Sequence, residues 1–239
     1  MQTLFKTDFG TVKVGNPDAI FTAMADAINL ARHSVGLSGG STPKAFYRWA
    51  AEVRRVEPLA EKRITWSVSD ERCVPLYSED SNFGNAERAF LGPRGIDETN
   101  WLPAPVELKP EAAASAWNET WARRFSPDYC FDLCFLGMGD DCHTASLFPG
   151  SPLIGSGVKD NFAALEVPGK GWRLTITEAG LGRCASICVV VTGAGKAEAL
   201  KAVLHCDFDP EKRPIQLLKA NAPRVTWLCD EAAVSGLDS

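Results

Sequence analysis

The stretch Phe131–Pro149, FDLCFLGMGDDCHTASLFP, constrains the fold of this chain more than any other. Its first half, Phe131–Met138, is short and mostly apolar and ends between Gly137 and Gly139. A run of that kind predicts a strand buried on both faces, as in a parallel sheet. Polar residues follow at once: Asp140, Asp141, Cys142, His143 and Thr144. In open α/β sheets ligands sit beyond the carboxyl ends of the strands, so chemistry is expected in this loop. His143 is one of three histidines, and Asp141, two residues before it, can fix its tautomer. An isolated Asp-x-His is more often a solvated turn. The strand in front and Leu147-Phe148-Pro149 behind favour a functional loop.

The rest of the chain alternates strand-like and helix-like segments. Leu4–Lys6 and Thr11–Val14 read as a hairpin around Gly10. Asn16-Pro17-Asp18 opens a helix over Ala19–Arg32, with proline just inside its start. Ser34–Leu37 reads as a strand, Pro43 begins the next helix, and Ile64–Ser69 is a strand that delivers Asp70-Glu71-Arg72 to its carboxyl end. Asn82–Leu91 reads as a helix, and Gly92–Leu108, rich in proline and glycine, as a surface connection. Glu111–Arg124 is a helix with Trp117 and Trp121 on one face, a spacing that means core packing. Phe162–Val167, Arg173–Thr177, Ser186–Thr192 and Arg224–Cys229 read as strands, Gly195–Leu204 as a helix and Asp230–Ser239 as a tail. This order predicts one α/β domain over 1–239: an open, mostly parallel twisted sheet of Rossmann-like type with helices on both faces and a few extra strands.

Composition limits the partners. A formal charge of −5 without any Lys/Arg run argues against nucleic acid. An anionic substrate would therefore need a local cationic cluster. No apolar run approaches the ~20 residues of a membrane-spanning helix. The eight cysteines include no Cys-x-x-Cys pair and several sit in apolar runs, which predicts buried, reduced thiols in a cytoplasmic protein. A zinc site around Cys142 and His143 lacks ligand spacing.

Three polar loops, at 38–42, 70–75 and 139–146, each follow a predicted strand. Right-handed crossovers would bring all three to one sheet edge. Ser38-Gly39-Gly40-Ser41-Thr42 precedes a helix, where backbone N–H groups and the helix dipole favour phosphate. The same segment is equally readable as a tight turn without a ligand. Gly36–Gly40 also fits the G-x-S-x-G nucleophile elbow, with His205 late in the chain. Too few strands precede Ser38, however, and no His-Gly-Gly segment does. Arg72 at a strand end can hold a carbonyl oxygen or an oxyanion. An arginine beside Asp70 and Glu71 can equally be a structural ion pair.

The joint pattern resembles the 6-phosphogluconolactonases. Leu37–Pro43 is similar to their L-S-G-G-S-T-P, and Asp70–Pro75 with Ser81-Asn82 to D-E-R-x-V-P and S-N. Gly137, Gly139, Asp141, His143 and Thr144–Pro149 match G-x-G-x-D-G-H-T-A-S-L-F-P. Arg173 begins a segment like R-I-T, and Lys196 ends one like T-G-x-x-K. Two departures stand out: Gly169-Lys170-Gly171-Trp172 replaces a proline-rich approach, and Cys142 stands where the family has glycine. If position 142 requires φ > 0, its Cβ costs about 1 kcal/mol.

The resemblance implies hydrolysis of 6-phosphoglucono-1,5-lactone in the pentose phosphate pathway, without metal or organic cofactor; the sequence leaves monomer and homodimer both open. It assigns His143 as general base, Asp141 as its orienting partner and Arg72 to the oxyanion. Ser38, Gly39, Gly40, Ser41, Thr42, Asp70, Asn82, Arg173 and Lys196 would bind the substrate, with Arg173, Lys196 and the Ser41-Thr42 loop clamping the phosphate. The alternatives are a deaminase acting on glucosamine 6-phosphate and a non-catalytic sugar-phosphate binder. The deaminases carry an acidic residue shortly after the histidine, where this chain has Ala145-Ser146-Leu147-Phe148.

Overall fold

A computed structural model describes residues 1–237. In chain order the elements are β1 (Gln2–Thr7), β2 (Gly10–Val14), α1 (Pro17–Leu30), β3 (Ser34–Leu37), α2 (Ser41–Val53), α3 (Pro58–Arg63), β4 (Thr65–Val68) and β5 (Asp70–Arg72). Then come α4 (Asn82–Ala86), continuing into a π-helical turn at Glu87–Leu91, α5 (Pro110–Arg124), β6 (Leu133–Gly137), β7 (Phe162–Val167) and β8 (Gly171–Ile176). The chain closes with α6 (Glu178–Gly182), β9 (Ser186–Val191), α7 (Ala197–His205), a 3-10 stretch at Pro214–Arg224 and β10 (Val225–Cys229).

Among the described residues the strands form two sheets. The larger has the order β1-β2-β10-β9-β6-β3-β4, and only the β1–β2 pair is antiparallel. The central strands are Val-, Ile- and Leu-rich and buried along most of their length, as strands covered on both faces must be. After β3 the chain steps outward to β4, then returns to place β6 on the other side of β3. The crevice at that reversal is where an open sheet of this kind binds ligands. The buried side chains form one continuous core.

Local chemistry sets the helix ends. The Asn16 side chain accepts the Ala19 N–H at 2.9 Å, and Pro17 and Asp18 occupy the first turn of α1. α1 stops at Leu30, short of the expected Arg32, because the Asp132 carboxylate accepts the N–H groups of Arg32, His33 and Ser34. On α5, Trp117 stacks on Phe162 at 3.8 Å and Trp121 meets Phe131 edge-on at 4.8 Å, so both serve the core as expected. Six of the eight cysteines are buried free thiols, while Cys73 is half-buried and Cys206 exposed.

Three expectations are corrected. Asp70-Glu71-Arg72 is not a loop but the edge strand β5 of a second, antiparallel sheet with β8 and β7. Ser69 makes the switch: its N–H donates to Leu37 of the large sheet and its carbonyl accepts from Ile176 of the small one. The segment Gly92–Leu108 is not merely superficial, since Ile96, Leu102 and Ala104 are buried and Leu102 exchanges hydrogen bonds with Trp66 and Ser67. The expected tail folds back from Asp230, whose carboxylate accepts the N–H groups of Gly193 and Ala233; residues 238–239 lie outside the described residues.

Candidate active site

The loop after β6 is folded around its own short bonds. Gly139 N–H donates to the His143 carbonyl and Cys142 N–H to the Gly139 carbonyl. A Cβ on Gly139 would lie 2.0 Å from His143 Nδ1 and 2.5 Å from Asp141 Oδ1, so only glycine allows the ring to fold back here. His143 Nδ1 stands 2.6 Å from Asp141 Oδ1, which also accepts the His143 backbone N–H at 3.1 Å. A carboxylate only accepts, so in the neutral ring the proton sits on Nδ1 and the lone pair on Nε2. Phe148 stacks on the ring at 4.3 Å. Burial alone would lift the Asp141 carboxyl, but the hydrogen bonds and charge of His143 outweigh it and hold Asp141 below its ordinary value. Cys142 does adopt φ of 64°, the left-handed conformation in which its Cβ is strained.

The loop after β3 meets the start of α2, where Gly40 caps the helix without any side-chain bond to its first N–H groups. Tyr47 ties the loop down: its hydroxyl donates to the Ser38 carbonyl at 2.6 Å and accepts the Ser38 N–H at 3.2 Å. Burial pushes the Tyr47 phenol well above its ordinary value, so it stays a donor at neutral pH. Thr42 and Thr192 share a hydroxyl hydrogen bond of 2.7 Å, joining this loop to the one after β9. Lys196, from that second loop, is paired with Asp140 at 2.6 Å.

Strand β5 sorts its three residues by alternation. Asp70 and Arg72 face one way, opposite Thr175 and Arg173 of β8, and Glu71 faces the other way, opposite Leu174. Glu71 is buried and accepts the N–H groups of Arg72, Asn82 and Phe83 and the Ser81 hydroxyl. Burial raises its carboxyl even against these donors. Glu71 thereby fixes the start of α4 and the place of Asn82, whose side-chain amide donates to the Asp70 carbonyl at 2.8 Å. A Cβ on Gly39 would lie 2.0 Å from Asn82 Oδ1, so the glycine loop and α4 touch only because that atom is absent. The Ser146 hydroxyl donates to Asp70 at 2.6 Å. Arg72 donates one N–H to the Asp80 carbonyl at 2.5 Å, leaving the rest of its fork for a ligand. Burial first and the Arg72 charge second pull the neighbouring Arg173 guanidinium below its ordinary value. Two facing arginines repel, and an anion between them removes that cost.

These segments line a cleft of about 250 Å³ bounded by Ser38–Pro43, Asp70, Arg72, Asn82, His143 and Lys196. An adjoining lobe of about 420 Å³ shares Asp70, Arg72, His143 and Ala145 and adds Lys170 and Arg173. Each residue expected at the site borders one of the two, with Asp141 behind His143. Lys196 borders the cleft with the 38–42 loop, and Arg173 borders the adjoining lobe with Arg72. Three supports escaped the sequence reading, namely Tyr47, Glu71 and Thr192. The elbow reading of Gly36–Gly40 finds no support, since His205 is exposed at the end of α7 and borders neither lobe.

An edge of this kind, with a helix start, cations and a histidine–carboxylate pair around one cleft, is that of an α/β enzyme. The chain belongs to the family described as glucosamine-6-phosphate isomerases/6-phosphogluconolactonase, whose model matches residues 17–227. Its relatives place it on the lactonase side of that family. The 6-phosphogluconolactonase of Synechocystis is 34% identical over 209 residues, covering 85% of this chain and 84% of that protein. The human 6-phosphogluconolactonase is 33% identical over 207 residues, covering 85% and 80%. Among solved structures, the 6-phosphogluconolactonase of Trypanosoma cruzi superposes with a TM-score of 0.81 at 23% identity, covering 100% of this chain and 99% of that one. A monomeric glucosamine-6-phosphate deaminase superposes with a TM-score of 0.78 at 18% identity, covering 94% and 99%. Likeness at these identities is one of fold. No helix among the described residues is long and apolar enough to cross a membrane.

Proposed function

We propose that the chain hydrolyses 6-phospho-D-glucono-1,5-lactone to 6-phospho-D-gluconate, the lactonase step of the pentose phosphate pathway, with His143 as general base. The observation that carries this reading is the His143–Asp141 contact of 2.6 Å, which leaves Nε2 as acceptor in a cleft that Arg72 also lines. The phosphate of the lactone lies at the start of α2, taking the free N–H groups of Ser41 and Thr42, their hydroxyls and the Lys196 charge. Ser38, Gly39 and Gly40 shape that end. Asp70, Asn82 and Arg173 meet the sugar ring beyond it.

Nε2 of His143 takes a proton from water as the water oxygen bonds to the ester carbon. The carbonyl electrons move to oxygen, where the Arg72 guanidinium holds the negative charge. When the tetrahedral intermediate collapses, the ring C–O bond breaks and the imidazolium returns its proton to the leaving oxygen. Asp141 keeps the ring in the tautomer this requires and stabilises the imidazolium. Binding energy from the phosphate end orients the reacting end.

A pH-stat assay on freshly made lactone tests the reading. The wild type should release one acid per lactone and no ammonia from glucosamine 6-phosphate. His143→Ala should lose about 10²–10⁴-fold in kcat with little change in KM. Wild-type turnover in that variant would remove His143 from the mechanism.

A further inference from the structure

Outside the cleft, a groove of about 560 Å³ runs between α2 and the α4–π segment. Lys44 and Arg48 enter it from α2, four residues apart on one helix face; Asn85 and Arg88 enter from the other wall, and Glu52 stands at its edge. Among the described residues none of its four charged side chains is in an ion pair. Three cations against one carboxylate leave the groove positive on a chain whose formal charge is −5. A concave surface of this size and sign suits a small polyanion.

The groove is wired to the active site through the segment 76–80. Lys44 and Asn85 both donate to the Glu79 carbonyl, at 3.3 and 2.8 Å. Arg88 donates to the carbonyls of Leu76 and Ser78 at 3.1 and 3.0 Å. The next carbonyl, that of Asp80, receives the Arg72 guanidinium. The cations that line the groove therefore also hold the short segment on which Arg72 leans. A neutral carbonyl is a weaker partner for them than an anion.

We propose that this groove is an inhibitory site for a small anion carrying two or more phosphate groups. Bound there, the anion draws Lys44 and Arg88 from the 76–80 carbonyls, and the Asp80 carbonyl no longer steadies Arg72. Because the ligand favours the loosened state, binding lowers turnover without occupying the cleft. The assignment of Arg72 rests on the proposed lactonase reaction; the binding site does not.

Inorganic pyrophosphate is the probe. Calorimetry on the wild-type chain should show two sites, one lost in Arg48→Glu and the other in Lys196→Met. The Arg48 side chain makes no hydrogen bond among the described residues and is exposed, so Arg48→Glu should keep the wild-type rate on the lactone. In the wild type, pyrophosphate should lower kcat about fivefold or more, in the usual range of coupling between sites. Arg48→Glu should abolish that fall and leave only competition at the cleft. Binding that Arg48→Glu leaves intact would overturn the site, and pyrophosphate inhibition that is purely competitive in the wild type would overturn the coupling. A wild type that binds pyrophosphate in the groove yet hydrolyses no lactone would instead refute the lactonase reading.

Discussion

Replacing Glu71 by glutamine tests how the site is held together, because the change keeps the side chain's shape and removes one acceptor. In the wild type one carboxylate oxygen accepts Arg72 N–H at 2.8 Å and Asn82 N–H at 2.7 Å. The other accepts Phe83 N–H at 2.8 Å and the Ser81 hydroxyl at 3.0 Å. Whichever way the glutamine amide turns, its NH₂ faces at least one buried backbone N–H. An orphaned buried donor costs about 1–3 kcal/mol, and the amide hydrogen without an acceptor adds a similar amount. Removing a buried negative charge returns part of this. The net loss should be about 1–3 kcal/mol. Urea denaturation at neutral pH, followed by tryptophan fluorescence, should show the midpoint falling by about 0.5–1 M with an unchanged slope. Because Glu71 also sets the start of α4, KM for the lactone should rise as Asn82 shifts. A variant as stable as the wild type would mean that the four donors are satisfied without Glu71, and the account of the site's scaffold would be wrong.

Asp141→Asn should lower kcat by leaving the His143 tautomer unfixed. Its stability follows from the depressed Asp141 carboxyl: the wild type's small advantage, below about 1 kcal/mol at this exposure, is full above the unfolded value of ~3.9 and vanishes as pH falls through the folded one, so the two melting curves should converge in acid. Asp140→Asn removes the anion paired with Lys196, which the phosphate of the substrate must otherwise share, so KM should fall severalfold at constant kcat; a rise in KM would show that Asp140 instead aims the lysine. Cys142→Gly relieves about 1 kcal/mol of left-handed strain and forfeits a buried thiol of similar worth, so thermal unfolding should shift by only a few degrees.

The central strands were readable because burial on both faces writes itself as an apolar run, as in Leu133–Gly137 and Ser186–Val191. Helix α1 announced itself by a proline at its first position and by spaced core residues, and α5 by Trp117 and Trp121 four apart. Strand β5 did not, because three polar residues become a strand only when β8, about a hundred residues later, offers its edge. The same holds for Trp101 and Leu102, which look like loop until Trp66 and Ser67 are beside them. At the site, His143, Arg72 and the 38–42 loop belong to compact motifs with an evident chemistry. Tyr47 and Glu71 act through burial and backbone donors, which only the folded chain reveals. The place of Arg173 beside Arg72 likewise follows from the register of β5 on β8, which no spacing encodes.

Strand β10 lies between β2 and β9, so among the described residues the N-terminal hairpin reaches the rest of the sheet only through residues 225–229. Trp227 also donates its indole N–H to the Phe9 carbonyl, a contact spanning 218 positions. A growing chain therefore holds two unpaired strand edges until residues 225–229 have been made, and β1–β2 must wait tethered through α1. Contacts so remote make closure slow, and the open edges are the places where one nascent chain could pair with another.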